Sequence, residues 1–491
     1  MRSKKMSESP TLSPITLSGA GVQGFLLFSG YGMAQALSFL RNAIIGHALS
    51  PADFGIAASI TLLLQIVETL SDLGSDRLIV QAEDGDKDEF VATAHTVLLV
   101  RGVLLTAVLL AIGPSVARFF NIQQATSAFQ IVALVPLIKG FLHLDCRRAQ
   151  RRLDNRPQMY VEVIPQAVAL MATLPFLKIS ATFEVVVWLS LAQAFAGVLI
   201  SHLLSDRRYR LAANREILSR QIAFGWPILL SALPLIAVYQ GDRLIIGRLA
   251  GMEALAAYTA CFMLTMVPGL LAAKAGHALM LPLFSDALRR GRTLVSRFRV
   301  MAEVTTLGAA LYLVFFIIAG ETVLPVVFGS HYSGLGAVTA WLAAMWALRM
   351  VQAVPGMALM AAGHTKPFLV AGLVRASVLP FALWTAIDGA TISTIAFIAF
   401  FGECLSLFYV AARLESLEAT TGRILMARAF FLLPAALLAV LAQGAAGMSL
   451  WKIAIALGAS TAAVIGVGIA IMPALRAQVR LRLAARLPTT A

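Results

Sequence analysis

"LRNAIIGHALSPADFGIAA", residues 40–58, and "DRLIIGRLAGMEALAAYTA", residues 242–260, say nearly the same thing twice in one chain. Each holds an apolar run containing Ile-Ile-Gly, an arginine inside or at the end of an apolar segment, a short polar turn and a new apolar run. An offset of 201 residues places Gly24 on Gly225 and the triplet 44–46 on 245–247. A second echo links "RRLDNRPQMYV" to "MAAGHTKPFLV", with Pro157 and Pro367 210 residues apart. The repeated unit is therefore about half the chain long, and its period decides the architecture.

Composition decides the class. Of 491 residues 59% are hydrophobic and only 13% charged, with a mean hydropathy of +0.83. Soluble domains are about half apolar and a quarter charged. Runs such as "VLLVRGVLLTAVLLAIG" approach the roughly 20 residues that carry a helix across a bilayer at about 1.5 Å each. Long runs without alternation are helical, because lipid leaves no other partner for the backbone. The fold class is an all-α polytopic membrane protein.

Hydropathy predicts fourteen spans, near 20–45, 52–76, 89–113, 126–146, 158–177, 181–204, 220–246, 252–280, 299–320, 335–358, 367–387, 391–412, 428–444 and 450–474. Alternate polar segments, counted from the first, hold 29 of the 39 lysines and arginines; the intervening loops hold Arg118, Lys178, Arg248 and Lys452. This asymmetry is the positive-inside signal and places both termini in the cytoplasm. It also accounts for the net charge of +14 without nucleic acid. The short polar N-terminal tail has no small-residue cleavage pattern, so the first apolar run is read as a retained helix. Cys146, Cys261 and Cys404 show no metal-ligand spacing and no disulfide framework.

Each repeat contains six spans in the same order. Six crossings return the chain to its starting side, so the halves share one orientation about an axis along the membrane normal, as in parallel-repeat transporters. The expected domains are a tail (1–19), an N-lobe of spans one to six (20–205), a basic linker (206–219), a C-lobe of spans seven to twelve (220–414), spans thirteen and fourteen (415–474) and a basic tail (475–491). Two pseudo-symmetric bundles facing each other enclose a central cavity that can open alternately to either side. "FGWPILLSALP", "MVPGLL", "LVPLIKG" and "AVPGMALM" place prolines within spans, where each removes a helix hydrogen bond.

Six basic residues fall within spans or at their ends: Arg41, Arg101, Lys139, Arg243, Lys274 and Arg349. A charge at the centre of a lipid-facing helix costs about 2.5–3.5 kcal/mol on insertion scales, so such groups turn to a bundle interior or a wet cavity. Acidic company is sparser, and Asp242 beside Arg243 and Asp72 near Arg77 are the local pairs.

The chain resembles the multidrug/oligosaccharidyl-lipid/polysaccharide exporter superfamily, and within it the polysaccharide-biosynthesis branch. The resemblance rests on "LSPADFGIAASITLLLQIVETLSDLG" (49–74), "VARFFN" (116–121), "RRLDNRPQMYVEVI" (151–164), "DRLIIGRLAGMEALAAY", "LMLPLFSDALRRG" (279–291) and "AAGHTKP" (361–367). His364 stands where relatives often carry arginine, and His47 lies in the first outer turn. The resemblance implies a flippase that moves undecaprenyl-diphosphate-linked oligosaccharide from the cytoplasmic to the periplasmic leaflet of a bacterial inner membrane. It also implies a functional link to a polysaccharide polymerase and export proteins. A diphosphate suits arginine, whose planar fork binds phosphate oxygens bidentately.

The head-group candidates are Arg41, Arg101, Lys139, Arg243, Lys274 and Arg349. Sugar contacts are expected from Gln65, Tyr239, Gln240 and Gln352, with Gln193 beside them. No phosphate-cradling Walker sequence is present, and no cofactor or metal is expected. Coupling to a proton or sodium gradient is expected at Glu68, Asp72, Asp242 or Glu403. A cationic-drug exporter and a peptidoglycan-precursor flippase are the transporter alternatives. A membrane polymerase or glycosyltransferase is disfavoured by the short outer loops.

Overall fold

A computed structural model describes residues 17–290, 293–446 and 449–477; the expected N-terminal tail up to residue 16 and the basic tail from 478 lie outside the described residues. The N-terminal half runs α1 (Leu17–Ala48), α2 (Pro51–Leu70), α3 (Ser75–Gln81), α4 (Asp88–Phe119), α5 (Thr126–Val132), α6 (Leu134–Lys139), α7 (Asp145–Arg151), α8 (Arg156–Ile179) and α9 (Glu184–Leu203). The second half runs α10 (Arg215–Leu249), α11 (Met252–Arg289), α12 (Val295–Phe328), α13 (Gly336–Ala361), α14 (Lys366–Ala376), α15 (Leu379–Ile387) and α16 (Ile392–Glu415). α17 (Thr421–Ala429), α18 (Leu432–Ala446) and α19 (Leu450–Ile471) follow.

Among the described residues twelve helical segments are long and apolar enough to cross a membrane, where fourteen were expected. They account for every expected span except the first and the fourth. The first is one long helix, α1. The fourth is broken into α5, α6 and α7, because Pro136 has no N–H to give back to Val132 and the chain turns at Ala133 and again at Gly140. Pro227 and Pro234 of α10 stay inside an unbroken helix, whereas Pro380 and Pro434 stand just after the breaks that divide α14 from α15 and α17 from α18.

The packing repeats under a six-span shift. α1 packs on α8 as α10 packs on α14 and α15; α4 on α6 as α12 on α13; α6 on α9 as α13 on α16; α8 on α9 as α14 on α16. Between the halves α1 meets α11, and α2 meets both α10 and α11. α18 and α19 pack on α12 and on each other, outside the repeat.

Lipid tails are as apolar as leucine, so burial of apolar surface gives these helices little reason to associate, and close approach takes over. A Cβ on Gly55 of α2 would lie 1.9 Å from the carbonyl oxygen of Met252, at the start of α11. Glycine is what lets the two halves touch there. Phe39, Phe54, Phe328 and Tyr332 close the same end from both halves, with ring centroids 5.9–6.3 Å apart. At the opposite, basic-loop end Gly225 of α10 sits against Leu73, a Cβ there falling 2.6 Å from the Leu73 carbonyl oxygen. Val103, Leu104, Met171, Leu230 and Leu441 point outward and exposed, which suits a hydrocarbon surround.

Candidate functional site

The interiors of the two halves differ. In the N-terminal half a polar cavity of about 290 Å³ opens between α1, α2, α6 and α9, with a second of about 310 Å³ beside it. α1 presents Gln35, Ser38, Arg41 and Asn42 to the first cavity, and α2 presents Thr61, Gln65 and Glu68. Both sets recur at three- and four-residue spacing, the signature of one helix face. Lys139 reaches it from the end of the broken span.

Arg41 is held by an amide: its Nη1 donates to Gln193 Oε1 at 2.5 Å. Among the described residues no carboxylate lies in ion-pair range of Arg41. Lys139 is held by a charge, its Nζ lying 2.7 Å from Glu68 Oε1. Glu68 sits in the last turn of α2, where the helix dipole disfavours an anion. Arg101 does not balance it directly, because its guanidinium donates to the Glu68 carbonyl oxygen at 2.8 Å and to Ser71 Oγ at 3.0 Å. Arg101 thus caps the end of α2, and it lines a smaller pocket between α4 and α6 that Glu68 and Lys139 also border.

The polar interior of the C-terminal half is filled, and the large cavity between α12, α13, α16 and α18 is apolar. Glu403, 1% exposed, pairs with Arg349 at 2.5 Å and with Arg375 at 2.8 Å. Gln352 donates to Glu403 Oε2 at 3.1 Å and accepts from Arg375 at 2.7 Å. The Arg349 guanidinium lies 4.7 Å from the ring centres of both Tyr239 and Trp346. Asp242 accepts from the Tyr258 hydroxyl and from the Arg243 backbone N–H. Arg243 itself donates to the Tyr239 carbonyl oxygen and lies 4.4 Å from the Phe262 ring centre.

The repeat explains the contrast. Lys139 and Arg349 are 210 residues apart, and so are Gln193 and Glu403, the same offset that relates Pro157 to Pro367. Where the C-lobe position is a carboxylate it pairs with its arginine; where the N-lobe position is an amide the neighbouring arginine keeps its charge unbalanced. Aromatic rings fill the space on one side, and a polar cavity remains on the other.

The structure thus brings Arg41, Lys139, Gln65 and Glu68 to one cavity, with Arg101 behind it. Arg243, Arg349, Tyr239, Gln352, Asp242 and Glu403 form a separate buried group. Lys274 of α11 lies 2.9 Å from the centre of the Tyr31 ring on α1, bridging the halves, and Gln240 donates to Gln65 at 3.0 Å across the same divide. Asp72 sits in the turn after α2, paired with Arg77 at 3.2 Å. Gln166 and Ser190 line the cavity and were not singled out by sequence. Arg375 is absent from the candidates drawn from sequence, although it lies eight residues beyond Pro367 and within the expected span 367–387, a depth that marks it as interior. No group of three or more metal-ligating side chains occurs among the described residues.

Residues 44–336 match the family described as polysaccharide biosynthesis protein. The chain belongs to that family. It is 24% identical over 315 residues to the succinoglycan biosynthesis transport protein ExoT of Rhizobium meliloti (strain 1021), a match covering 60% of each chain. The chain thus aligns with under two thirds of that relative's length. The solved structure of the lipid II flippase MurJ in an inward closed conformation superposes with a TM-score of 0.72 at 9% identity, covering 90% of this chain and 98% of that one. An inward-facing multidrug resistance MATE family transporter of the MOP superfamily gives 0.61 at 14% identity, covering 82% and 99%. At these identities the likeness concerns the fold. The expected all-helical exporter-superfamily architecture is borne out, and the protein is a multi-pass membrane protein of the polysaccharide-biosynthesis family.

Proposed function

We propose that the protein is a flippase, not an enzyme. It carries undecaprenyl-diphosphate-linked oligosaccharide from the cytoplasmic to the periplasmic leaflet of a bacterial inner membrane by alternating access. The observation that carries this reading is the N-lobe cavity, where Arg41 and Lys139 face a wall of amides and hydroxyls. A diphosphate brings about two negative charges, and in a low-dielectric cavity charge-assisted hydrogen bonds from a guanidinium and an ammonium are the strong ones. Gln65, Gln166, Gln193 and Ser190 offer donors and acceptors that sugar hydroxyls need. Cationic drugs call for acidic groups in excess, whereas the cavity offers one carboxylate, already paired, and the adjoining cavity adds only Glu162. Coupling to a proton or sodium gradient belongs to the proposal, and of the four acidic candidates Glu68 is the one on the cavity wall. Polysaccharide polymerase and export proteins complete the route.

The test is lipid-linked glycan analysis in cells lacking the gene, with leaflet accessibility probed in inverted vesicles and spheroplasts. Accumulation of an undecaprenyl-diphosphate oligosaccharide on the cytoplasmic face, with loss of surface polysaccharide, is the expected result. Normal amounts and sidedness, with new sensitivity to cationic drugs, would transfer the protein to the drug exporters.

A further inference from the structure

Glu68 is out of place in a cavity built to receive an anion. It is the one carboxylate among the described residues lining that cavity, it repels a phosphate, and it occupies Lys139, one of the two cations on offer. We infer that Glu68 is an internal counter-anion. It holds Lys139 while the cavity is empty and gives it up to the cargo's phosphate, so that affinity is kept low and the emptied carrier resets without a bound anion. This inference rests on the diphosphate-carrier reading.

Three features fit a displaceable pair. The Glu68 and Lys139 side chains are 31% and 40% exposed, and an exposed ion pair is weak enough to exchange. Lys139 ends the six-residue α6 and borders three adjoining pockets; its four-carbon stem has room to swing. Glu68 has no second cation on its carboxylate, since Arg101 is committed to the Glu68 carbonyl oxygen and Ser71. With Lys139 drawn away, an anion is left at the negative end of α2, which favours the return of the lysine once cargo departs. Arg41, held only by a neutral amide, is the cation that stays available throughout.

The test uses the full chain in nanodiscs, with undecaprenyl diphosphate as the probe in calorimetric titrations. Freeing Lys139 from the carboxylate that competes with the phosphate for it, in Glu68→Gln, should tighten binding about tenfold. Lys139→Gln should weaken it, and adding Glu68→Gln to Lys139→Gln should recover much less than tenfold. Glu68→Met, similar in length and uncharged, serves where the glutamine variant does not fold. In proteoliposomes the tighter-binding variant should translocate more slowly, because release and reset are impaired. Wild-type binding with an unchanged or weaker Glu68→Gln overturns the counter-anion and leaves the flippase reading standing. Absence of any wild-type binding overturns both.

Discussion

One atom separates the two lobes at the position that matters most: Gln193 is an amide where Glu403 is a carboxylate. Converting the first to the second, Gln193→Glu, should give Arg41 the partner that Arg349 has. Translocation is then expected to fall tenfold or more while the melting temperature holds or rises, because the charge lost to the cargo is gained by the fold. Proteoliposome transport beside thermal melts in detergent reads both. Glu403→Ala should act in the opposite sense. It strands Arg349, whose side chain is 9% exposed, beside a second arginine, and breaking a buried pair costs about 3–5 kcal/mol. Loss of folded protein is the expected result, and normal stability would mean that the network is not structural. At this scale the sequence was half legible. The charge of Arg41, Lys139, Arg243 and Arg349 inside spans announced an interior, but which cations would be neutralised depended on carboxylates far away in sequence, Glu403 54 residues from Arg349 and Glu68 71 residues from Lys139. Lys139 and Arg349 look alike until Glu68 and Glu403 are placed in space.

Elements were read well where apolar runs are continuous and poorly where chain chemistry interrupts them. α9 and α16 fall close to their expected limits because no proline interrupts them; α13 keeps its limits despite Pro355, and α2 ends at Leu70, short of the expected 76. The span at 126–146 was read as one helix, yet Pro136 and Gly140 divide it and leave Lys139 at the end of a short piece rather than mid-helix. α10 also begins earlier than hydropathy implied, since its first turns are amphipathic and pinned to the N-lobe by charge. There Arg220 grips Asp84 with two hydrogen bonds of 2.8 and 2.9 Å, and this grip holds the Asp84 carboxyl below the usual carboxylate range. A depressed carboxyl adds stability that is fully present above its unfolded pKa of about 3.9 and disappears as pH falls through the folded value. Asp84→Asn is therefore expected to cost no more than about 1 kcal/mol at neutral pH, the groups being partly exposed. Its melting curve should merge with that of the wild type in strong acid. A difference that persists unchanged below pH 3 would mean that Asp84 acts through something other than its charge.

The whole molecule follows from the two offsets, 201 and 210 residues, that the repeat prints in the sequence. They predicted two like-oriented bundles, and the packing repeats accordingly. They could not predict that the bundles would differ inside, because aromatic filling by Tyr239, Phe262 and Trp346 belongs to one half alone. Closure of the first-turn end depends on Gly55 against Met252, so Gly55→Leu should prop that end open. A cysteine introduced at Tyr332, buried in the structure, should then react with a membrane-impermeant maleimide in whole cells; continued protection would show that the contact is not a gate. The proposed carrier function rests on Arg41, which holds the diphosphate-linked glycan in the N-lobe cavity as it crosses the bilayer. The most direct measurement is protein-dependent appearance of undecaprenyl-diphosphate-linked oligosaccharide on the far leaflet of proteoliposomes, comparing the wild type with Arg41→Ala. Translocation by the wild type and its loss in a folded Arg41→Ala protein is the predicted result, and equal translocation by the two would contradict the account.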